Sequence, residues 1–221
     1  MKELLDRSQN IVICTHVNPD GDAIGSSLAM KHFFERKGKK ATVIVPNVFP
    51  DFLKWLPGAD DILVHTKQDV QAKAVIEAAD LVVVCDLNQS ARLANMEEDI
   101  LANKAPRILI DHHLDPDMEF CRHIVSEPAM CATGEVICQL FTDMGEMDDI
   151  SENEAVCLYT AMMCDTGAFS FNSNRPVIYE HISRLLSHGI DKDLIYRNVF
   201  WTASEARLRL QGYLLYVNMT V

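Results

Sequence analysis

The sequence predicts a doubly wound α/β fold: a mostly parallel, five-stranded sheet flanked by helices, followed by a helical segment and a linker helix. Three observations carry that expectation. Short β-branched runs lack the polar alternation of a half-exposed strand and so suit strands buried on both faces. Stretches of helical length separate most of these runs. Acids and histidines stand directly after several runs, at the edge where open parallel sheets bind ligands.

The first run is Ile11–Cys14, followed by a helix over Asp22–Lys37 that steps Ile24, Leu28 and Met30 along its length and stops at Gly38. Ala41–Val45 and Ile62–His65 are the next strands, then a helix over Gln68–Ala79. Leu81–Cys85, a helix over Glu97–Asn103 and Arg107–Ile110 complete the β-α-β-β-α-β-α-β order. After Asp115 the pattern turns helical, over Thr133–Met144, Glu152–Met163, Val177–Leu186 and Lys192–Val199. The acid-rich stretch Asp143–Glu154 suits a solvated loop entering a helix. Ala203–Tyr216 is a further helix, after which Val217, Met219 and Val221 alternate like an opening strand. A strand without a partner is a poor terminus, which suggests a piece of a longer two-domain protein.

With 221 residues, 48% hydrophobic and 24% charged, the chain can bury one ordinary core and is not disordered. No apolar run reaches the ~18 residues of a membrane span, and no secretory signal opens the chain. Seven cysteines without a C-x-x-C pair argue against a disulfide framework or zinc cage and suit a reducing, cytoplasmic setting. The net charge of −12 disfavours long nucleic acid held by phosphate neutralisation, but not a small anionic substrate carried by metal ions.

Four motifs carry the chemistry. In Thr15–Ser27, His16, Asp20 and Asp22 lie within seven residues of one another on a turn loosened by Gly21, a set suited to a divalent cation. Helix capping is the competing explanation, and it accounts for only one of the two acids. Asp86 ends the strand LVVVC, where a plain turn aspartate is the alternative. Asp111, His112 and His113 end the strand RILI, and adjacent strand residues point to opposite sides, so one histidine could bind metal while the other faces substrate. Asp165 ends an apolar helix before Thr166–Gly167. Four carboxylates brought together need compensation, and two divalent ions would supply it. Oxygen-rich ligation with imidazole favours manganese, with magnesium or cobalt as alternatives. Two such ions ~3.5–4 Å apart can generate a bridging hydroxide and clamp a phosphoryl group, which makes phosphoryl transfer or phosphoester hydrolysis the natural reaction class.

The ordered set HVNPDGDAIGS, CDLNQSAR, DHH and CDTGAF resembles the DHH phosphoesterase family, most closely its branch of oligoribonuclease and pAp phosphatase enzymes, often called nanoRNases. The resemblance runs from Asn10 to about His188. It implies that His16, Asp20 and Asp86 bind one metal, and that Asp22, Asp86, His112 and Asp165 bind the other, with Asp86 bridging. It further implies that Asp111 orients the histidines and that His113 faces the substrate, stabilising the transferring phosphoryl group or protonating its leaving oxygen. Arg92 could contact a substrate phosphate. Relatives commonly carry an arginine where this chain has Ser170, and Arg175 could substitute for it. On this resemblance residues 1–190 form the catalytic domain, and residues 191–221 lead toward a second, substrate-gripping domain absent from the chain.

The implied activity is metal-dependent hydrolysis of small nucleotides: short oligonucleotides, pAp or linear dinucleotides. Inorganic pyrophosphate or polyphosphate is the alternative substrate, and a non-catalytic nucleotide-binding module is the alternative class. The apolar C-terminal helix could pair two chains as a homodimer. The cysteines beside the motifs (14, 85, 164) are assigned to packing, and His32, His65, His123, His181 and His188, which lack an acidic partner motif, to surface or core.

Overall fold

The computed structural model describes residues 2–219. Helix α1 (Lys2–Arg7) leads into β1 (Asn10–Cys14), α2 (Gly21–Arg36) and β2 (Lys40–Val45). Two short 3₁₀ turns connect β2 to β3 (Leu63–Val64), followed by α3 (Asp69–Glu77) and β4 (Leu81–Cys85). A kinked 3₁₀ segment, Ser90–Met96, precedes α4 (Glu97–Ala102), β5 (Arg107–Asp111) and β6 (His123–Ser126). Five helices complete the chain: α5 (Thr133–Met144), α6 (Glu152–Asp165), α7 (Pro176–Ser187), α8 (Lys192–Phe200) and α9 (Glu205–Asn218).

The strands form one sheet in the order β3-β2-β1-β4-β5-β6, every neighbouring pair parallel. The α/β class predicted from the continuous apolar runs is the observed one, with a sixth strand added. Strand β6 escapes a pattern search because its four residues, His123 to Ser126, are at most half-buried and carry no apolar run. Helix α1 was likewise unexpected. At the other end, Val217 lies inside α9 rather than opening a strand, Met219 follows that helix, and Val221 lies outside the described residues.

Successive strand residues serve two cores, as a pleat requires. Ile11, Ile13, Val43, Val83 and Ile110 pack with α2, α5 and α6, whereas Val12, Cys14, Ile44, Val84 and Leu109 pack with α3 and α4. Helix α2 is buried on nearly all sides, which a weakly amphipathic sequence rich in Ala, Gly and Ser permits. Two glycines let its neighbours close on α6. A Cβ on Gly25 would stand 2.6 Å from the Cys157 carbonyl oxygen, and one on Gly134 would stand 2.7 Å from Ala161 Cβ. Ala161 is thus where α2 and α5 both lean on α6, so the first turns of α2 and α5 meet above the sheet.

The acidic stretch before α6 is less solvated than its composition suggests. Glu154 is fully buried, caps α6 jointly with Ser151 and pairs with Arg36 at 3.1 Å, while Glu146 holds Arg36 and Lys37. Helix α8 buries Ile195 and Val199 in the main core. Helix α9 buries none of its side chains. No helix among the described residues is long and apolar enough to cross a membrane.

Candidate metal centre

The strand order reverses between β1 and β4, and at such a point the connections leave the sheet in opposite directions and open a crevice at its carboxyl edge. His16 lies two residues past the end of β1, Asp86 one past β4, and Asp111 closes β5. Asp165 is the last residue of α6. All the expected ligand positions therefore converge on one crevice. Several local conformations are unusual: Asn18, Asp86, Ala168 and Phe169 have positive φ, with Asp86 at 61°. Non-glycine residues held this way cost roughly 1–3 kcal/mol each and tend to gather where function requires them.

Asp20 and Asp22 divide their labour. Asp20 caps α2, accepting the Asp22 and Ala23 amides at 3.0 and 3.1 Å, and still faces solvent. Asp22 is 1% exposed and reaches across to α5, where it accepts the Thr133 amide at 2.6 Å, the Gly134 amide at 2.9 Å and the Ser26 hydroxyl at 3.0 Å. The amino end of a helix is a natural seat for a carboxylate. Thr133 also donates its hydroxyl to Asp86 at 3.0 Å.

Both inner histidines present Nε2 to the carboxylates. His16 Nδ1 donates to the Val17 carbonyl at 2.8 Å and His112 Nδ1 to the Met130 carbonyl at 3.3 Å. This fixes the tautomer that leaves an Nε2 lone pair facing inward. His16 Nε2 lies 3.4 Å from Asp86. His112 Nε2 lies 3.8, 3.6 and 3.7 Å from Asp22, Asp86 and Asp165. The donors fall into three groups, His16–Asp20–Asp86, Asp22–His112–Asp165 and Asp86–His112–His113, the last sharing Asp86 with the first and His112 with the second.

The electrostatics leave this cluster short of positive charge. None of Asp20, Asp22, Asp86 and Asp165 pairs with a lysine or arginine among the described residues. Burial, then repulsion from Asp86 and Asp165, pushes the Asp22 carboxyl well above its ordinary range, although the Thr133 and Gly134 amides oppose the shift. Asp165 rises through burial, with His112 opposing and Asp86 and Asp20 reinforcing. For His16, burial disfavours the charged form, but Asp86, the Val17 carbonyl and Asp20 outweigh it and raise the pKa. Four uncompensated carboxylates and two inward Nε2 atoms form a donor set that fits divalent cations. Cys85 packs in the main core, and burial drives its thiol well above its usual range.

His113 points differently from His112. Its Nδ1 donates to Asp111 at 2.7 Å, and the Arg92 Nη1 group donates to its Nε2 at 3.2 Å. Arg92 therefore stands at the crevice, fixed through its carbonyl to the Val17 amide at 2.8 Å. Arg175 does not take the place expected of a phosphate-binding arginine. Its Nη1 group donates to the Ala129 carbonyl at 2.8 Å and pairs with Glu135 at 3.2 Å. Glu135 is wholly buried and also accepts the Cys131 amide at 2.7 Å. The pair thus ties down residues 129–135, the segment whose Met130 carbonyl aims His112 and whose Thr133 and Gly134 amides hold Asp22.

Sequence reasoning missed Ser26, Met130, Thr133, Gly134 and Glu135. A usable signal lay in CATGE, where Thr and Gly open a helix and leave free amides for an anion. One histidine set aside as lacking an acidic partner has two. His65 accepts the Asn95 amide at 2.6 Å, so its Nε2–H donates to Asp99 at 2.8 Å, with Asp69 at 3.5 Å. Asp99 lies thirty-four positions further along the chain, too far for a local motif to reveal.

The profile of the DHH family's N-terminal domain matches residues 10–162. Among solved structures, an exopolyphosphatase-related protein from Bacteroides fragilis is 49% identical and superposes with a TM-score of 0.96, covering 100% of this chain and 64% of that one. A bifunctional oligoribonuclease and PAP phosphatase of Thermus thermophilus is 28% identical over 180 residues, 81% of this chain and 50% of that protein. A cyclic-di-AMP phosphodiesterase of Listeria monocytogenes is 26% identical over 203 residues, 88% of this chain and 30% of that protein. The chain thus spans half or less of the length of these two curated relatives.

Proposed function

The chain belongs to the DHH family, and we propose that it carries the metal-dependent catalytic centre of a phosphoesterase acting on small nucleotides: short oligonucleotides, pAp or linear dinucleotides. The observation that carries this is the convergence, at the strand-order reversal, of two inward-facing histidines and four aspartates that pair with no lysine or arginine among the described residues. His16, Asp20 and Asp86 would hold one divalent ion, and Asp22, Asp86, His112 and Asp165 the other, with manganese the first choice and magnesium or cobalt next. When bound, such ions polarise a phosphoryl group and acidify water.

The chain's own residues then divide the remaining work. Asp22 and Asp86 are immobilised by the start of α5, so the donor set is preorganised. Asp111 holds His113 in one orientation, with Nε2 toward the crevice. An incoming phosphate competes for Arg92, and as Arg92 turns to the phosphate it frees His113 Nε2 to take a proton from solvent. The bond to Asp111 favours this by raising the imidazole's pKa. The imidazolium can then stabilise the phosphoryl oxygens or give that proton to the leaving oxygen. Residues 191–221 would lead toward a further substrate-binding domain, a role supported by the exposed Leu208, Leu210, Leu214 and Leu215 of α9.

A second substrate class is favoured by one observation: the 49%-identical protein is described as exopolyphosphatase-related. The test is a side-by-side assay of the purified chain with manganese on pAp, a linear dinucleotide, a short oligonucleotide, pyrophosphate and polyphosphate. Turnover of the nucleotides above the inorganic substrates is expected. Release of phosphate from the inorganic substrates alone would replace the nucleotide assignment. No turnover of any of these, with metal bound, would favour a nucleotide-binding module instead.

A further inference from the structure

At the opposite, amino-terminal edge of the sheet lies a concave feature that the metal centre does not use. A cavity of about 480 Å³ opens where β5 and β6 begin, beside the end of α1. It gathers Arg7, Lys104, Arg107, Arg122 and His123 against a single acid, Glu119. In a chain of net charge −12 this is a local inversion of sign. Arg7, Lys104 and Arg122 make no ion pair among the described residues.

Arg107 is held differently from these rim cations. Its Nε donates to the Phe120 carbonyl at 2.7 Å, and its Nη1 group to the Ile100 and Asn103 carbonyls at 3.5 and 3.3 Å. Its guanidinium carbon lies 5.5 Å from the centre of the Phe120 ring. Among the described residues the Nη2 group has no acceptor. A half-buried guanidinium fixed in place with one donor edge uncommitted is preorganised for an oxyanion, and the exposed cations around it add charge.

We propose that this cavity is a second ligand site, separate from the metal centre, for a compound carrying two or more phosphate groups. A single phosphate would leave most of the cations unmatched, and the volume falls in the range that takes a nucleotide. Arg107 opens β5 and Asp111 closes it, so the two sites stand roughly 13 Å apart along one strand at ~3.3 Å per residue. The same chemistry is offered by a free nucleoside polyphosphate and by the phosphorylated end of an oligonucleotide. This assignment does not depend on which substrate the metal centre takes.

Calorimetric titration of the whole chain in EDTA, which silences the metal centre, tests it with three probes: inorganic tripolyphosphate, ATP and a 5′-phosphorylated dinucleotide. At least one should bind at one per chain. Binding should weaken at least roughly tenfold in the Lys104→Ala/Arg122→Ala double variant, the loss expected of charge-assisted contacts, and stay unchanged in Asp86→Asn. Preference for ATP or for the dinucleotide identifies the source, and either supports the site. The replaced side chains are exposed, and the melting temperature of the double variant checks that it folds. No binding by any probe, binding indifferent to the double variant, or binding lost in Asp86→Asn would overturn the proposal.

Discussion

Replacing Gly134 by alanine tests how far the metal centre depends on helix packing behind it. The added Cβ would stand 2.7 Å from Ala161 Cβ and 3.2 Å from the Leu158 carbonyl oxygen. Carbon atoms in contact sit at about 3.5–4.0 Å, so α5 must retreat from α6 by roughly 1 Å. Overpacking of this kind costs about 1–3 kcal/mol, which for a domain of this size lowers Tm by roughly 2–12 °C. The same retreat would stretch the Thr133 and Gly134 bonds to Asp22, now 2.6 and 2.9 Å, toward or beyond hydrogen-bond range. Loss of such support around a metal ligand typically weakens metal affinity by about 10–100-fold. Thermal unfolding with and without manganese, and manganese titration of the folded variant, read the two effects separately. Gly212→Ala is the control, because a Cβ there meets nothing within 4 Å and alanine suits the α9 interior. Manganese affinity and Tm in Gly134→Ala equal to those of the parent would refute the link between the helix crossing and the site.

Three further outcomes follow from the same contacts. Glu135→Gln keeps the shape of the side chain but loosens its hold on Arg175 and the Cys131 amide, so manganese affinity should fall about tenfold while the chain stays folded by circular dichroism. Arg36→Ala leaves the fully buried Glu154 without its cation, and urea unfolding should show a loss of about 3–5 kcal/mol, the usual penalty for breaking a buried pair. His181 is buried, neither ring nitrogen has a hydrogen-bond partner among the described residues, and burial lowers its pKa despite the opposing Glu135. The unfolded state therefore binds the proton more readily, so stability holds above about pH 6.5 and declines as pH falls below it. Urea unfolding of His181→Leu between pH 7.5 and 5 should show a shallower decline than the parent.

The parts of this molecule that were legible in the sequence are those written locally. The runs around Val12, Ile44, Val83 and Leu109 are apolar because both faces of the sheet are covered, and a buried parallel strand needs no alternation to be recognised. His16, Asp20, Asp22, Asp86, Asp111 and the two adjacent histidines follow such runs directly, so finding the strands located the crevice. Strand β6 was hidden because an edge strand with a half-exposed face carries no apolar run. Helix packing hid the supporting layer: nothing local in Glu135 or Arg175 tells that they meet across forty residues to fix the start of α5. For the same reason Arg175 looked available to substrate. The buried Glu154 resembled the solvated acids around it because its partner, Arg36, lies at the far end of α2.

Manganese titration of the metal-stripped chain, alongside Asp86→Asn, tests the central claim most directly. Asparagine tolerates the positive φ of 61° at this position and keeps the side-chain volume, so the variant changes the donor and little else. Two ions per chain in the parent, with both sites weakened or lost in Asp86→Asn, is the predicted result, because this carboxylate faces both donor sets. No specific divalent binding by the parent, or binding of two ions undiminished in the variant, would contradict the account.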